Sequence, residues 1–440
     1  MTYCDRYNHL LSTESSLAAE RYQAGIDLLL SIWPTAGETL DQAIDADPEF
    51  ALALAARARL HAVHSEVTQA KAKIARAAEL VAKKGSERER SHVAVLAHII
   101  NGQAATALAG AMTHTDLWPN DVLIMSLMLG AFGLLAFSGR ADHNQARVDL
   151  CERHAPHFAA DDWWFLTYRG WSHGENGNVR LGRELTERAL ELRRKNANAA
   201  HALAHVMYEQ GASSEAEQHL ADWMPEYGRS GVLYGHLAWH GALIALERGD
   251  TDQALEIYNK NIAPSANLGV PINVVSDTAA FLWRMQAYGY DVHPDLWQNA
   301  ASYASGYFQQ AGFPFADIHM AIIAAATGDK SALLAREKKL SEMVNSGALV
   351  AGPVVPAICR SVLAFAEENY AESARILEPV AQDAVRLGGS GAQQEIVEDT
   401  LLVALMRCGE AAKAKALLEE RLGRRPSPRD SRWLLTVQAH

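Results

Sequence analysis

The sequence predicts an all-α protein, a right-handed α-α superhelix of about ten stacked helical hairpins, on three observations. Turn signals recur at Gly102, Gly139, Gly177, Gly211, Gly249, Gly289, Gly328, Asn369 and Gly409, in steps of 34 to 41 residues. Each step holds two helices of about four turns, joined by a Gly or Asn able to take the left-handed conformation that ends a helix. Five residues after most of these turns stands a small residue (Ala107, Gly182, Ala216, Ala254, Ala374, Ala414), where the second helix packs closely on the first. Alternating β-branched runs are scarce, so no sheet is expected.

In chain order, residues 1–40 are expected to form capping helices, 41–420 the hairpins and 421–440 a terminal cap of one domain. The mixture of charged and apolar residues from Met1 to Tyr22 lacks a signal-peptide core. Stepping back 37 residues from Gly102 gives a turn at Ser65, with Ala70 five places on. Asp47-Pro48 and Trp118-Pro119-Asn120-Asp121 mark helix starts, and Ser86-Glu87-Arg88-Glu89 spells a capping box. Val122–Gly139 is 18 residues without charge, the lower limit of a membrane span, but it carries three glycines and keeps the repeat register, so a buried helix is expected. The turns at Gly139, Gly289 and Gly328 depart from the small-residue rule with Asn144, Pro294 and Leu333. Arg421, Arg424, Arg425 and Arg429, interleaved with Pro426 and Pro428, are expected to be a solvated basic end.

A chain of 440 residues exceeds the roughly 250–300 at which one core stops growing, which the stacking of hairpins accommodates. Hydrophobic residues at 49% and charged ones at 21% exclude a disordered chain. Forty Lys and Arg against 52 Asp and Glu give a net charge of −12, without the basic footprint that nucleic acid requires. Cys4, Cys151, Cys359 and Cys408 are far apart with no CxxC pair, the pattern of reduced core thiols in a cytoplasmic protein. No membrane association, phosphate loop or dinucleotide fingerprint is expected.

The segments His201-Ala202-Leu203-Ala204-His205-Val206, Gly235-His236-Leu237-Ala238-Trp239-His240, Leu246-Glu247-Arg248-Gly249-Asp250, Phe281-Leu282-Trp283-Arg284 after Asp277, and Phe315-Ala316-Asp317-Ile318-His319 carry a resemblance. With the turn register they are similar to tetratricopeptide repeats, and more closely to the tetratricopeptide-repeat protein 38 family, from about Phe50 to Leu340. The chain departs from that family at Ala316 and at Ser172-His173-Gly174. The resemblance implies an α-solenoid and no settled activity.

Counted back from its own turn, His236 stands at −13, His201 at −10, His240 and His319 at −9 and His205 at −6. At about 100° per residue, these five histidines from three repeats share a wedge of about 100°. In tetratricopeptide repeats such offsets resemble those lining the concave groove. Trp164, Tyr168, Trp171, Trp239 and Trp283 would then wall an aromatic recess. Two HxxxH pairs, His201/His205 and His236/His240, could hold a metal, although the Glu of the zincin motif is missing. Glu209 lies one turn after His205, but it shares its place two residues before the turn with Glu175, Glu247 and Glu367, which favours a helix-end role. Asp277 and Asp317 fall off the wedge, and Asp317 is expected to cap its helix or, as the alternative, to brace His319.

Three functions follow as expectations. The first is an enzyme that converts a small organic ligand in the groove, with His201, His205, His236, His240 and His319 as its acid/base set and no cofactor. The second is a scaffold for a peptide or protein partner, weakened because Arg360 is the one basic residue at the lining positions. The third is a divalent metal on His201, His205, His236 and His240.

Overall fold

The computed structural model describes residues 2–439 and is all-α apart from a small hairpin, with helices packed as sequential pairs. Most pairs close through the left-handed turn that the register requires; Val122–Met128 and His143–His154 are joined instead by an irregular segment, although Gly139 in it is left-handed. Gly102, Gly177, Gly211, Gly249, Gly289, Gly328 and Gly409 have φ between +68° and +93°, and Ser65 has φ +62°. At Gly249 the amide donates to the Leu246 carbonyl and the next amide, Asp250, reaches back to Ala245; the same two bonds recur at Gly102, Gly177, Gly211, Gly289, Gly328 and Gly409. This pair of bonds satisfies the carbonyls orphaned at a helix end.

One turn is displaced by a residue. Glu368, not Asn369, takes the left-handed conformation, with φ +60°. Asn369 instead caps the following helix, its side chain accepting from the Glu372 amide, as Asp250 and Asp329 do at their own turns. An Asn beside a helix start is worth more as an N-cap than as a turn residue. The small residues five places on are buried, and at Gly182 an added Cβ would lie 2.9 Å from Gly174 Cα.

Contacts divide the chain into two compact units. One comprises residues up to Leu135, Asn144–Ala202 and Ser230–Val232; the other comprises Ala136–His143, Leu203–Arg229 and the residues from Leu233 on. The first begins with a two-stranded antiparallel hairpin, Tyr3–Cys4 against Leu10–Leu11, where no sheet was expected. Its core is built by pairs such as Ser16–Leu30 with Ala36–Ala46 and Ala51–Val63 with Val67–Lys84, around Leu30, Leu40, Phe50, Leu52 and Trp164. The core of the second centres on Trp239, Tyr258, Phe281 and Trp283, from the helices Tyr234–Arg248 and Pro271–Ala287 and the segment Tyr258–Ile262.

Two expectations are corrected. Val122–Gly139 is not one helix: it is helical over Val122–Met128, leaves the helix at Leu129 and makes a short 3-10 turn at Ala136–Ser138. Gly130 has φ +83° and Gly133 packs so tightly that a Cβ would meet the Leu129 carbonyl at 2.2 Å, so the glycines shape an irregular crossing. No helix among the described residues is long and apolar enough to cross a membrane. The terminal arginines are only in part a solvated end: Arg424 is exposed, but Arg421, Arg425 and Arg429 are buried. Arg421 pairs with Asp399 (2.9 Å), Asp430 (2.7 Å) and Glu395 (2.9 Å), and Arg425 pairs with Glu247 (2.7 Å). A run of four arginines reads as solvated unless its partners are visible, and these come from helices up to about 180 residues earlier in the chain.

Candidate functional site

His236 and His240 lie one turn apart on Tyr234–Arg248, the helix ended by the left-handed Gly249. Their rings meet edge to face, with centroids 5.0 Å apart at 79°. His205, on Ala197–Glu209, brings its ring 4.3 Å from that of His240 at 75°. All three histidines are at most 3% exposed. Each offers a ring nitrogen within 4.8 Å of the others. The helix bearing His205 is started by Asn196, whose side chain accepts from the Ala199 amide and donates to Thr167 Oγ1. One turn before His205, on the same helix, His201 is buried with its ring stacked on Trp171 at 5.5 Å.

Asp277, on Pro271–Ala287, supplies the carboxylate. Its Oδ2 lies 2.9 Å from His236 Nδ1, so the ring donates through Nδ1. Trp239 stacks on the same imidazole at 5.4 Å and 14°. His236 is therefore held on its edge by a carboxylate and on its face by an indole. Sequence offsets put Asp277 off the histidine wedge, yet it reaches the ring because it belongs to the next hairpin, where angles measured on a single helix no longer apply.

The remaining sequence candidates lie elsewhere. His319 is fully buried and donates through Nδ1 to the Phe315 carbonyl at 2.7 Å, while its Nε2 has no partner among the described residues. Burial pushes its pKa from 6.5 to about 4, so the ring is neutral at pH 7. Asp317 does not brace it: the carboxylate accepts from the Gly312 amide at 3.0 Å and from the Arg336 guanidinium. Trp283 donates its indole N–H to Thr400 at 2.9 Å. Trp164 packs on Tyr168 and Phe158 in the core of the first unit. Glu209 lines a recess of about 330 Å³ with Glu395, Glu398, Arg421, Arg424 and Arg425, one helical turn beyond His205.

A second cluster escaped the sequence reading. Asp121 accepts from His92 Nδ1 at 2.9 Å, His114 Nε2 at 3.1 Å and the Arg88 guanidinium at 2.7 Å. Burial alone would raise the Asp121 pKa, but His92, His114 and Arg88 together hold the carboxyl well below its usual range. Sequence reasoning saw Asp121 as a turn residue and Arg88 as part of a capping box. The signal available was Arg88 and His92 one turn apart on one helix face. The guanidinium already supplies a full positive charge at Asp121, so this cluster is a closed polar clasp between Glu87–Ile100, Ala104–Leu117 and the start of Val122–Met128.

No family model matches this chain. Among solved structures, the chain is similar to the yeast Tom70 crystal structure over 96% of this chain and 95% of that one, at 14% identity and a TM-score of 0.33. It is also similar to the P58(IPK) TPR domain over 90% and 99%, at 14% identity and a TM-score of 0.20, and to Naa15/Naa10 bound to HypK-THB over 92% and 63%, at 12% and 0.22. Its own helix pairs and its repeated left-handed turns make this chain an all-α protein of repeated helical hairpins.

Proposed function

We propose that this protein is a helical-repeat scaffold that holds a divalent transition-metal ion on imidazole ligands. His205, His236 and His240 are the ligands. The observation that carries the reading is the convergence of buried ring nitrogens within 4.8 Å of one another, with His236 oriented by Asp277. A metal with Zn–N bonds of about 2.0–2.1 Å in tetrahedral geometry sets its ligand nitrogens roughly 3.4 Å apart, so binding would draw the rings together by up to about 1.4 Å. Imidazole sets suit Zn²⁺, Co²⁺, Ni²⁺ and Cu²⁺ rather than Mg²⁺ or Ca²⁺.

The acid/base conversion of an organic ligand would need room beside these rings. Of the sequence candidates, Glu209 lines a recess, and its neighbours there are Glu395 and Arg421 rather than an imidazole. A peptide clamp would need cationic side chains to hold carboxylates. Arg421 and Arg425 are already paired with carboxylates, and Arg360 with Glu337.

The test is metal content. Chain purified and incubated with Zn²⁺, then desalted, is expected to retain about one ion per chain by elemental analysis. The H236A/H240A double variant is expected to retain none while keeping its helical circular dichroism. Wild-type chain that holds no stoichiometric Zn²⁺, Co²⁺ or Ni²⁺ would reject the reading.

A further inference from the structure

Resting on the metal-centre reading, we infer that Asp277 is the positioning residue and counter-charge of the centre, fixing His236 as a ligand through Nε2 and selecting for a bound cation. The argument begins with charge. Asp277 is fully buried. Burying a carboxylate is costly unless a positive charge or several donors offset it. At most other buried carboxylates the offset is a guanidinium: Arg88 for Asp121, Arg336 for Asp317, Arg284 and Arg421 for Asp399, and Arg425 for Glu247; Glu89 is held instead by several donors, the amides and hydroxyls of Ser12 and Ser86.

Asp277 departs from that pattern. Among the described residues its ion-pair partner is His236 alone, and its other hydrogen bond is a weak one from Ser276 Oγ at 3.4 Å. A dication on the far side of the His236 ring would place the missing charge one imidazole away. Carboxylate–histidine–metal arrangements of this kind fix the ring tautomer and raise the basicity of the ligating nitrogen. The Nδ1–H bond to Asp277 determines which nitrogen ligates, and Trp239 fixes the plane in which it points. The Asp121 clasp shows the contrast, because Arg88 there supplies a positive charge directly to the carboxylate.

The experiment uses the full chain and Co²⁺ as probe, titrated in competition with a chromophoric chelator, with the visible absorption of the bound ion recorded. Asp277→Asn keeps an acceptor for Nδ1–H and removes the charge. It is expected to lower Co²⁺ affinity about 10–100-fold and to shift the absorption band. Asp277→Glu keeps the charge on a longer arm, and is expected to fall between wild type and Asp277→Asn, which serves should the Asn variant not fold. Wild-type affinity and an unchanged spectrum in both variants would overturn the role of Asp277 while leaving the metal centre standing. A wild-type chain that takes up no Co²⁺ would overturn both.

Discussion

His319 shows how much a single buried side chain can weigh. Its folded pKa of about 4 lies below the unfolded value of 6.5 because burial disfavours the charged ring. Above pH 6.5 both states are neutral there and the group contributes no pH dependence. As pH falls from 6.5 towards 4 the unfolded chain takes up the proton first, so stability declines, by roughly 3 kcal/mol at pH 4. His319→Gln removes this group. Urea midpoints at pH 7 and pH 4.5 should therefore converge in the variant relative to wild type, and an equal acid sensitivity in the two proteins would show that His319 titrates normally.

At the scale of the element, the repeated turn makes its own comparison. Gly102 and Gly211 have almost the same left-handed backbone, with φ +75° and +68°. A Cβ at Gly102 meets nothing within 4 Å, whereas at Gly211 it would lie 2.8–2.9 Å from Pro426. Gly102→Ala therefore costs the left-handed penalty alone, roughly 1–2 kcal/mol. Gly211→Ala adds overpacking of roughly 1–3 kcal/mol, since Pro426 is ring and backbone and cannot swing aside. Chemical denaturation of the two variants tests the order; equal losses would show that Pro426 yields. The helices on either side of these turns were legible because capping bonds span five or six residues. The break after Met128 was less so, since a run without charge looks helical until its glycines are weighed together.

For the whole molecule, the buried arginine network plays a part in the second unit that composition hides. Arg421 joins Ala411–Arg424 to Gly391–Arg407 through Asp399 and to Pro428–Gln438 through Asp430, and Asp399 also accepts from Arg284 on Pro271–Ala287. The guanidinium charges outweigh burial and hold Glu395 and Asp399 below their usual range. Arg421→Met leaves Asp430 and Glu395 with fewer cations in a buried setting and should destabilise by roughly 3–5 kcal/mol. Hydrogen exchange should rise across Gly391–Arg407 and Pro428–Gln438. Unchanged protection there would mean that apolar packing, not the ion pairs, holds the last helices.

The amino-acid sequence by itself determined the helical hairpins, their period and the residues that end each helix, because those features depend on bonds and packing between near neighbours. It also placed four histidines in two HxxxH pairs. Only the tertiary structure decided that His205 meets His240, that Asp277 rather than Glu209 holds an imidazole, and that Arg421, Arg425 and Arg429 are buried. Those partners lie tens to hundreds of residues apart, and which side chain reaches which is set by how one hairpin packs on the next, a relation no spacing along the chain encodes.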